Sequence, residues 1–163
     1  MMEAKHKRYI GVAGGGVCSD EIYELAQQTG YALAKMGAIV VCGGRSGVME
    51  AAARGAKEAG GTTLGILPGA DYSEGNDYID YMICTGIGQA RNLLVVLNSR
   101  VLVAVGGEAG TLSEIALAIK HKTPVVALRS WPLHEMKSGG DLRLFHPVET
   151  VEQCIEKVVE LLR

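Results

Sequence analysis

Three glycines within five positions, Gly106, Gly107 and Gly110, stand just before Thr111 in a pattern that suits anion binding. Residues 100–105, which precede them, are almost wholly apolar and predict a strand buried on both faces. Apolar residues then recur at helical spacing, so a helix is predicted to begin near Thr111. A glycine turn between strand and helix lets backbone N–H groups approach a ligand closely. The pattern therefore predicts a site for an anion, most simply a phosphate.

One acidic residue lies inside this turn and another follows it, and each has two interpretations. Thr111 and Glu114 match a capping box, in which the threonine caps the helix and the glutamate reaches back to the cap. Alternatively, the Glu114 carboxylate serves a ligand or a reaction. Glu108 lies inside the turn, where a carboxylate repels phosphate but can hydrogen-bond a ribose or an amide of a ligand. A solvated side chain is the other interpretation of Glu108.

Two further glycine turns follow apolar runs in the first third of the chain. One follows residues 8–13, the other follows residues 38–42, and a helix is predicted after each. These turns present backbone N–H groups in the same way as the turn at 106–110. The residues predicted to contact phosphate in the three turns are Gly14, Gly15, Gly43, Gly44, Arg45, Ser46, Gly47, Gly106, Gly107, Gly110 and Thr111.

Polar side chains near these turns leave alternatives open. Ser46 and Thr111 are predicted to cap the following helices, and the same hydroxyls suit a phosphate. Arg45 suits either a phosphate or the surface. Arg91 lies in the first turn of a helix predicted over 87–97, where a cation opposes the helix dipole. An anionic ligand or partner would explain that position, since a guanidinium pairs well with phosphate or carboxylate.

Six apolar runs alternate with helical patterns along the 163 residues, which predicts one Rossmann-like α/β domain. Its sheet is predicted to be doubly wound, mostly parallel and of about six strands, with ligands at the carboxyl ends of the strands. If the strand order is 3-2-1-4-5-6, the glycine turns lie side by side. Residues 71–80 are predicted to form a solvated acidic loop. Residues 129–149 are predicted to be irregular, with Trp131 as a lid or an oligomer contact.

Several other classes do not fit the sequence. Gly14-Gly15-Gly16 lacks the third glycine of a dinucleotide fingerprint, and no acidic residue follows the second strand where a ribose would bind. There is no P-loop motif. A net charge of −2 gives no general attraction to nucleic acid or to acidic membranes. We therefore expect a small phosphorylated ligand, and no nucleic acid or membrane partner.

The cysteines and the amino terminus bear on metals and location. Cys18, Cys42, Cys84 and Cys154 show no metal-ligand spacing, so neither a metal site nor a resident cofactor is predicted. The first eight residues are charged and lack an apolar segment. No apolar run approaches the ~20 residues of a membrane span. We expect a soluble protein of a reducing cytoplasm.

Two motifs taken together carry a family resemblance over residues 8–128. Gly43-Gly44-x-x-Gly47-Val48-Met49 and Gly107-x-x-Gly110-Thr111-x-x-Glu114 resemble the LOG (LONELY GUY) superfamily, which includes lysine decarboxylase-like proteins and molybdenum cofactor carrier proteins. The resemblance implies a homo-oligomer and a nucleoside 5′-monophosphate phosphoribohydrolase, which cleaves an N-glycosidic bond. Arg91 and Glu114 would then be catalytic. Arg91 would orient or polarise the ligand, and Glu114 would stabilise an oxocarbenium-like sugar.

Three departures from the enzyme pattern point instead to the carrier-like branch. Gly106 replaces a proline, Glu108 replaces a glycine, and Asn92 replaces the lysine that follows the catalytic arginine. The alternative is therefore a non-catalytic carrier or sensor for a pterin-type molybdenum cofactor or a nucleotide. Lysine decarboxylation is rejected because it needs pyridoxal phosphate on a Schiff-base lysine. The lysines considered fall on predicted helices or their ends, away from the turns: Lys35, Lys57, Lys120 and Lys122.

Overall fold

Seven parallel strands form one sheet in a computed structural model that describes residues 8–133 and 142–163. The sheet order is β4-β3-β2-β1-β5-β6-β7, and every neighbouring pair is parallel. The Rossmann-like α/β class is thus confirmed. The strands are β1 (Arg8–Gly14), β2 (Ala38–Cys42), β3 (Thr62–Leu67), β4 (Tyr81–Cys84), β5 (Val101–Val105), β6 (Val125–Leu128) and β7 (Phe145–Val148).

Five α-helices cover the two faces of the sheet in the described part of the chain. One apolar layer packs under α1, α2 and α5, and a second packs under α3 and α4. The helices are α1 (Asp20–Lys35), α2 (Val48–Glu58), α3 (Asn92–Leu97), α4 (Ala109–Lys120) and α5 (Val151–Leu161), with 3-10 turns at Tyr72–Glu74, Gly88–Arg91 and Leu142–Leu144. None of the helices described is long and apolar enough to cross a membrane.

The predicted strand order is wrong at the edge of the sheet. β4 pairs with β3 and not with β1, so the winding reverses between β1 and β5. A side-chain contact just before β4 joins it to β3. Asp80 accepts a hydrogen bond from the Thr63 N–H at 2.9 Å and donates its own N–H to Thr63 Oγ1 at 2.9 Å. Asp80 also pairs with Lys57, so this residue of the predicted solvated loop is structural.

The seventh strand lies in the segment predicted to be irregular. β7 is short, contains Pro147 and occupies the edge beside β6. A proline removes one ladder N–H, which an edge strand tolerates because that side of the strand has no neighbour. Within the segment, residues 134–141 lie outside the described residues, and Trp131 lies just before them.

Small residues let α1 and α2 approach closely. A Cβ atom on Gly30 would lie 2.0 Å from the Ala52 carbonyl oxygen, and one on Gly55 would lie 1.9 Å from the Gln27 carbonyl oxygen. Each helix therefore needs glycine at its crossing point. This tight pair covers the sheet beside the first two glycine turns and sets where those turns lie.

Candidate ligand-binding site

A cavity of about 300 Å³ opens at the carboxyl ends of β1, β2 and β5, where the winding of the sheet reverses. This is where open α/β sheets bind ligands, and the volume is at the lower end of the roughly 300–1,000 Å³ typical of ligand pockets. Six of the predicted site residues line it: Gly14, Arg45, Ser46, Gly110, Arg91 and Glu114. The lining also includes Gly16, Val17, Met49, Gln89, Asn92 and Glu108.

The first two glycine turns are joined behind the cavity wall. Val48 at the start of α2 donates its N–H to the Gly15 carbonyl oxygen at 3.0 Å. Gly47 has a φ of 67°, and a Cβ atom there would lie 2.3 Å from the same oxygen. A Cβ atom on Gly14 would overlap the Val48 side chain. These glycines therefore hold two turns in contact, which shapes the cavity in addition to any contact with a ligand.

Gly43 makes room for Arg91. A Cβ atom at position 43 would lie 2.4 Å from both Nη1 and Nη2 of the guanidinium. Arg91 is 4% exposed and reaches this position from the 3-10 turn before α3. The close approach explains why the turn after β2 needs a glycine at this point. It also brings together two residues that are far apart in the chain.

The Arg91 guanidinium has one strong partner and a more distant opposite charge. Its Nη1 donates to Asn92 Oδ1 at 2.7 Å and lies 3.9 Å from Glu114 Oε1. Its Nε is buried with no hydrogen-bond partner among the described residues. Burial lowers the pKa of Arg91, and Glu114 opposes that shift. A guanidinium with unused donors beside a cavity is suited to bind an anion.

Glu114 lies in the second turn of α4 and faces the cavity. Its side chain is 7% exposed, and burial raises its pKa to about 7, although nearby Arg91 opposes the rise. Near neutral pH the carboxyl is therefore divided between its neutral and ionised forms. A group in that state can either donate a hydrogen bond to a ligand or accept one.

The predicted capping box of Thr111 and Glu114 is wrong. α4 begins at Ala109, two residues earlier than predicted, and its N-cap is Glu108. Thr111 is buried and accepts the Glu108 N–H at 3.5 Å, whereas Glu114 lies beyond the first turn. The cap interpretation of Glu114 is thereby removed. Ser46 is not a cap either: Gly47 is the N-cap of α2, and the Ser46 hydroxyl donates to the Gly16 carbonyl oxygen at 2.9 Å.

The third glycine turn contacts the only tryptophan. Trp131 Nε1 donates to the Glu108 carbonyl oxygen at 3.2 Å, and a Cβ atom on Gly107 would lie 2.7 Å from the same nitrogen. Gly106, with a φ of 59°, packs against Ile22. Trp131 is 38% exposed, and these contacts place it beside the turn that carries Glu108.

Sequence patterns missed four lining residues and the structural role of a fifth. Gly16, Val17, Met49 and Gln89 line the cavity, and Asn92 binds the Arg91 guanidinium. Asn92 was singled out only as a departure from a resembled motif. The available signal was position, because each of these residues directly follows a predicted site residue or lies two places from one.

Comparison with known proteins identifies the family. A model of the SLOG cluster4 family matches residues 7–155. The chain belongs to this family. As a member of the SLOG cluster4 family, it lies within the LOG-related superfamily that the two glycine motifs indicated, so that resemblance is confirmed.

Two solved structures resemble this SLOG cluster4 protein along nearly the whole chain. The molybdenum cofactor carrier protein of Chlamydomonas reinhardtii is 43% identical with a TM-score of 0.87, and the match covers 96% of this chain and 99% of that one. The molybdenum cofactor binding protein of Rippkaea orientalis is 35% identical, also with a TM-score of 0.87, over 98% and 100%. An uncharacterized protein of Archaeoglobus fulgidus is 41% identical over 152 residues, which are 93% of this chain and 97% of that one.

Proposed function

We propose that this protein binds and carries a molybdenum cofactor-type ligand, a phosphorylated pterin, in the cavity at the carboxyl ends of β1, β2 and β5. The proposal is carried by the near full-length likeness to two proteins named for carrying or binding that cofactor. The cavity supports it because glycine turns, a helix start and buried polar side chains converge there. The expected partner is thus a small phosphorylated molecule.

The phosphate would be held by backbone N–H groups and by the guanidinium groups of Arg45 and Arg91, which line the cavity. The first N–H groups of α4 lack partners within the helix and carry the positive end of its dipole. Gly110, in that first turn, lines the cavity, as do Arg45 and Ser46 from the turn after β2. An anion suits this combination, and the small side chains let it approach the backbone.

The pterin would be held by polar side chains of the cavity lining. An aminopyrimidinone ring presents N–H donors along one edge, and carboxylates accept such hydrogen bonds strongly. Glu108, Glu114 and Gln89 line the cavity and supply acceptors. This assignment gives Glu108 a role that a phosphate alone would not, since a carboxylate repels phosphate.

A loading experiment with matched variants tests the carrier proposal. Purified protein would be incubated with molybdenum cofactor, passed through a desalting column, and analysed for bound pterin by fluorescence after oxidation. Arg91→Gln should retain at least tenfold less pterin than the wild type. Arg100→Gln is the control, because this exposed arginine precedes β5 at the opposite edge of the sheet. Equal retention by both variants, or none by the wild type, would contradict the proposal.

A second candidate is hydrolysis of the N-glycosidic bond of a nucleoside 5′-monophosphate. The observation that favours it is Glu114, which is not a helix cap, lies beside Arg91 at the cavity wall and has a pKa of about 7. A carboxyl in that position is suited to stabilise a cationic sugar or to activate water. In this case Arg91 would orient the phosphoribosyl group.

Release of free base from AMP separates the two candidates. A hydrolase should release adenine, and Glu114→Gln should lower the rate by at least about 10² because one carboxylate role is lost. Glu156→Gln, an exposed change on α5, should leave the rate unaltered. Binding of AMP without release of adenine would leave the carrier proposal as the function of the cavity.

A further inference from the structure

The distance between Arg91 and Glu114 is longer than a buried pair of opposite charges requires. Their side chains are 5% and 7% exposed, yet the closest charged atoms are 3.9 Å apart. Attraction between unit charges is strong where water is excluded, so a direct hydrogen-bonded pair would be expected. The Arg91 Nη1 instead donates at 2.7 Å to Asn92 Oδ1. A neutral side chain has taken the position that the carboxylate would otherwise occupy.

The hydrogen bonds of Asn92 form a chain with a single polarity. A guanidinium only donates, so the amide oxygen of Asn92 must face Arg91 and its NH₂ must face away. That NH₂ donates to Ser113 Oγ at 3.1 Å, and Ser113 donates in turn to the Gly110 carbonyl oxygen at 2.7 Å. Both partners belong to α4, which also carries Glu114. The amide is therefore fixed at both ends.

We infer that Asn92 is a positioning residue that holds the Arg91 guanidinium out of a direct ion pair with Glu114, leaving both charged groups free to meet a ligand. The inference rests on the proposed use of the cavity as a binding site. The arrangement of these side chains can be measured without a ligand. Asn92 acts through Arg91 and need not touch the ligand.

Other charged or ionisable groups line the cavity or lie beside Glu114. Arg45 is contributed by the turn after β2, Glu108 by the N-cap of α4, and Cys42 by the end of β2. Burial raises the pKa of the Cys42 thiol to about 11, so that group is neutral. Burial raises the pKa of Glu114 to about 7 although nearby Arg91 lowers it, which agrees with the separated geometry.

Two substitutions at position 92 should move the titration of Glu114 in opposite directions. Asn92→Leu removes the acceptor, so Arg91 should turn to Glu114 and lower its pKa by about one unit or more. Asn92→Asp keeps the shape and holds Arg91 more firmly while adding a nearby negative charge. The pKa of Glu114 should then rise. The lowering in Asn92→Leu is the diagnostic change, because the added charge of Asn92→Asp raises the pKa of Glu114 by itself.

The measurement is a ¹³C NMR titration of protein labelled at the glutamate side-chain carboxyl, with the Glu114 signal assigned by its loss in Glu114→Gln. Ser113→Ala, which removes only the second bond of the chain, should lower the pKa of Glu114 less than Asn92→Leu does. Asn98→Leu is the matched control: Asn98 is exposed at the end of α3 and donates to Leu94. Its titration should equal that of the wild type.

The outcomes separate this inference from the proposed function. An unchanged or raised Glu114 midpoint in Asn92→Leu would overturn the inference. If Asn92→Leu does not fold, Ser113→Ala decides, because an unchanged Glu114 midpoint there would contradict the inference. Affinity for AMP, measured by calorimetry, should fall at least tenfold in Asn92→Leu. If the wild type binds neither AMP nor molybdenum cofactor, the proposed function fails, but the titration still tests Asn92.

Discussion

At the scale of single residues, the site is a buried pair of opposite charges that are close but not hydrogen-bonded. Arg91 and Glu114 lie 3.9 Å apart, and Asn92 takes the stronger hydrogen bond. Burial of an incompletely paired carboxyl costs stability when the group ionises, because the charged form loses its hydration. Such a cost is tolerated where the same group serves a ligand.

Stability should therefore depend on pH through Glu114. Its pKa is raised from the ordinary 4.5 to about 7 in the folded protein, so stability is full below 4.5 and is lost as pH rises to 7. The free energy of unfolding of the wild type, relative to Glu114→Gln, should fall by up to about 3 kcal/mol between pH 4.5 and 8. Urea unfolding at several pH values measures this difference.

The control for that experiment is Glu156→Gln, whose curve should run parallel to that of the wild type. A wild-type to Glu114→Gln difference that stays constant from pH 4.5 to 8 would contradict the raised pKa. The Glu114→Gln variant also leaves Arg91 without its nearest opposite charge. This changes the free energy of unfolding by the same amount at every pH at which Arg91 is protonated, so the pH dependence of the difference reports Glu114.

Sequence reasoning reached Arg91 and Glu114 but not the bond between Arg91 and Asn92. The resemblance to the LOG superfamily assigned roles to both residues, and Arg91 was also marked by its place in the first turn of a predicted helix. The capping interpretation of Glu114 failed because the N-cap of α4 was placed three residues late, at Thr111 and not at Glu108. Helix ends are uncertain by about this amount. The amide at position 92 gave no periodic or motif signal.

At the scale of elements, the turn after β2 is shaped around the Arg91 side chain. Gly43→Ala places a methyl group 2.4 Å from the guanidinium nitrogens, so Arg91 must move and ligand affinity should fall at least tenfold. The change should have little further effect in an Arg91→Gln background, because residues in contact are not additive. Calorimetry of the two single variants and the double variant checks this. Additive losses would contradict the contact.

At the crossing of α1 and α2, close packing and helix propensity predict opposite effects of Gly30→Ala on stability. Gly30→Ala would stabilise an isolated helix by about 1 kcal/mol, but its Cβ atom would lie 2.0 Å from the Ala52 carbonyl oxygen. We expect a net loss of about 1–3 kcal/mol in the free energy of unfolding. Gln28→Ala, exposed on the same helix, is the control and should change stability by less than about 0.5 kcal/mol. Stabilisation by Gly30→Ala would show that the helices are not in close contact.

Element types could be predicted from the sequence more readily than element neighbours. Apolar runs and glycine turns located the first six strands. The position of β4 depends on hydrogen bonds between Asp80 and Thr63, which are 17 residues apart. Hydrophobic periodicity carries no information about such a pair. β7 escaped notice because Pro147 interrupts an already short apolar run.

At the scale of the whole molecule, a ligand in the cavity bridges elements on both sides of the point where the winding reverses. A ligand at about 100 times its dissociation constant adds about 2.7 kcal/mol to stability, which should raise Tm by roughly 5–10 °C for a chain of this length. A thermal-shift panel of AMP, ribose 5-phosphate and a phosphorylated pterin measures it. The rise should disappear in Arg91→Gln and persist in Arg100→Gln. A rise in Arg91→Gln equal to that of the wild type would place the ligand elsewhere.

The pairing of β1 with β5 has a consequence for synthesis of the protein on the ribosome. Ile10 of β1 can pair with Val101 of β5 only after Val101 has been synthesised. The centre of the sheet therefore closes only after more than half of the chain has been made. Such distant pairings form slowly because the entropy of closing the loop is lost before the new contacts stabilise the sheet. The cavity takes one wall from each side of this late junction, so its lining is complete only once β5 and α4 are in place. Under the proposed function, a ligand can therefore be captured only by a chain whose sheet is already closed, and binding would distinguish finished molecules from unfinished ones.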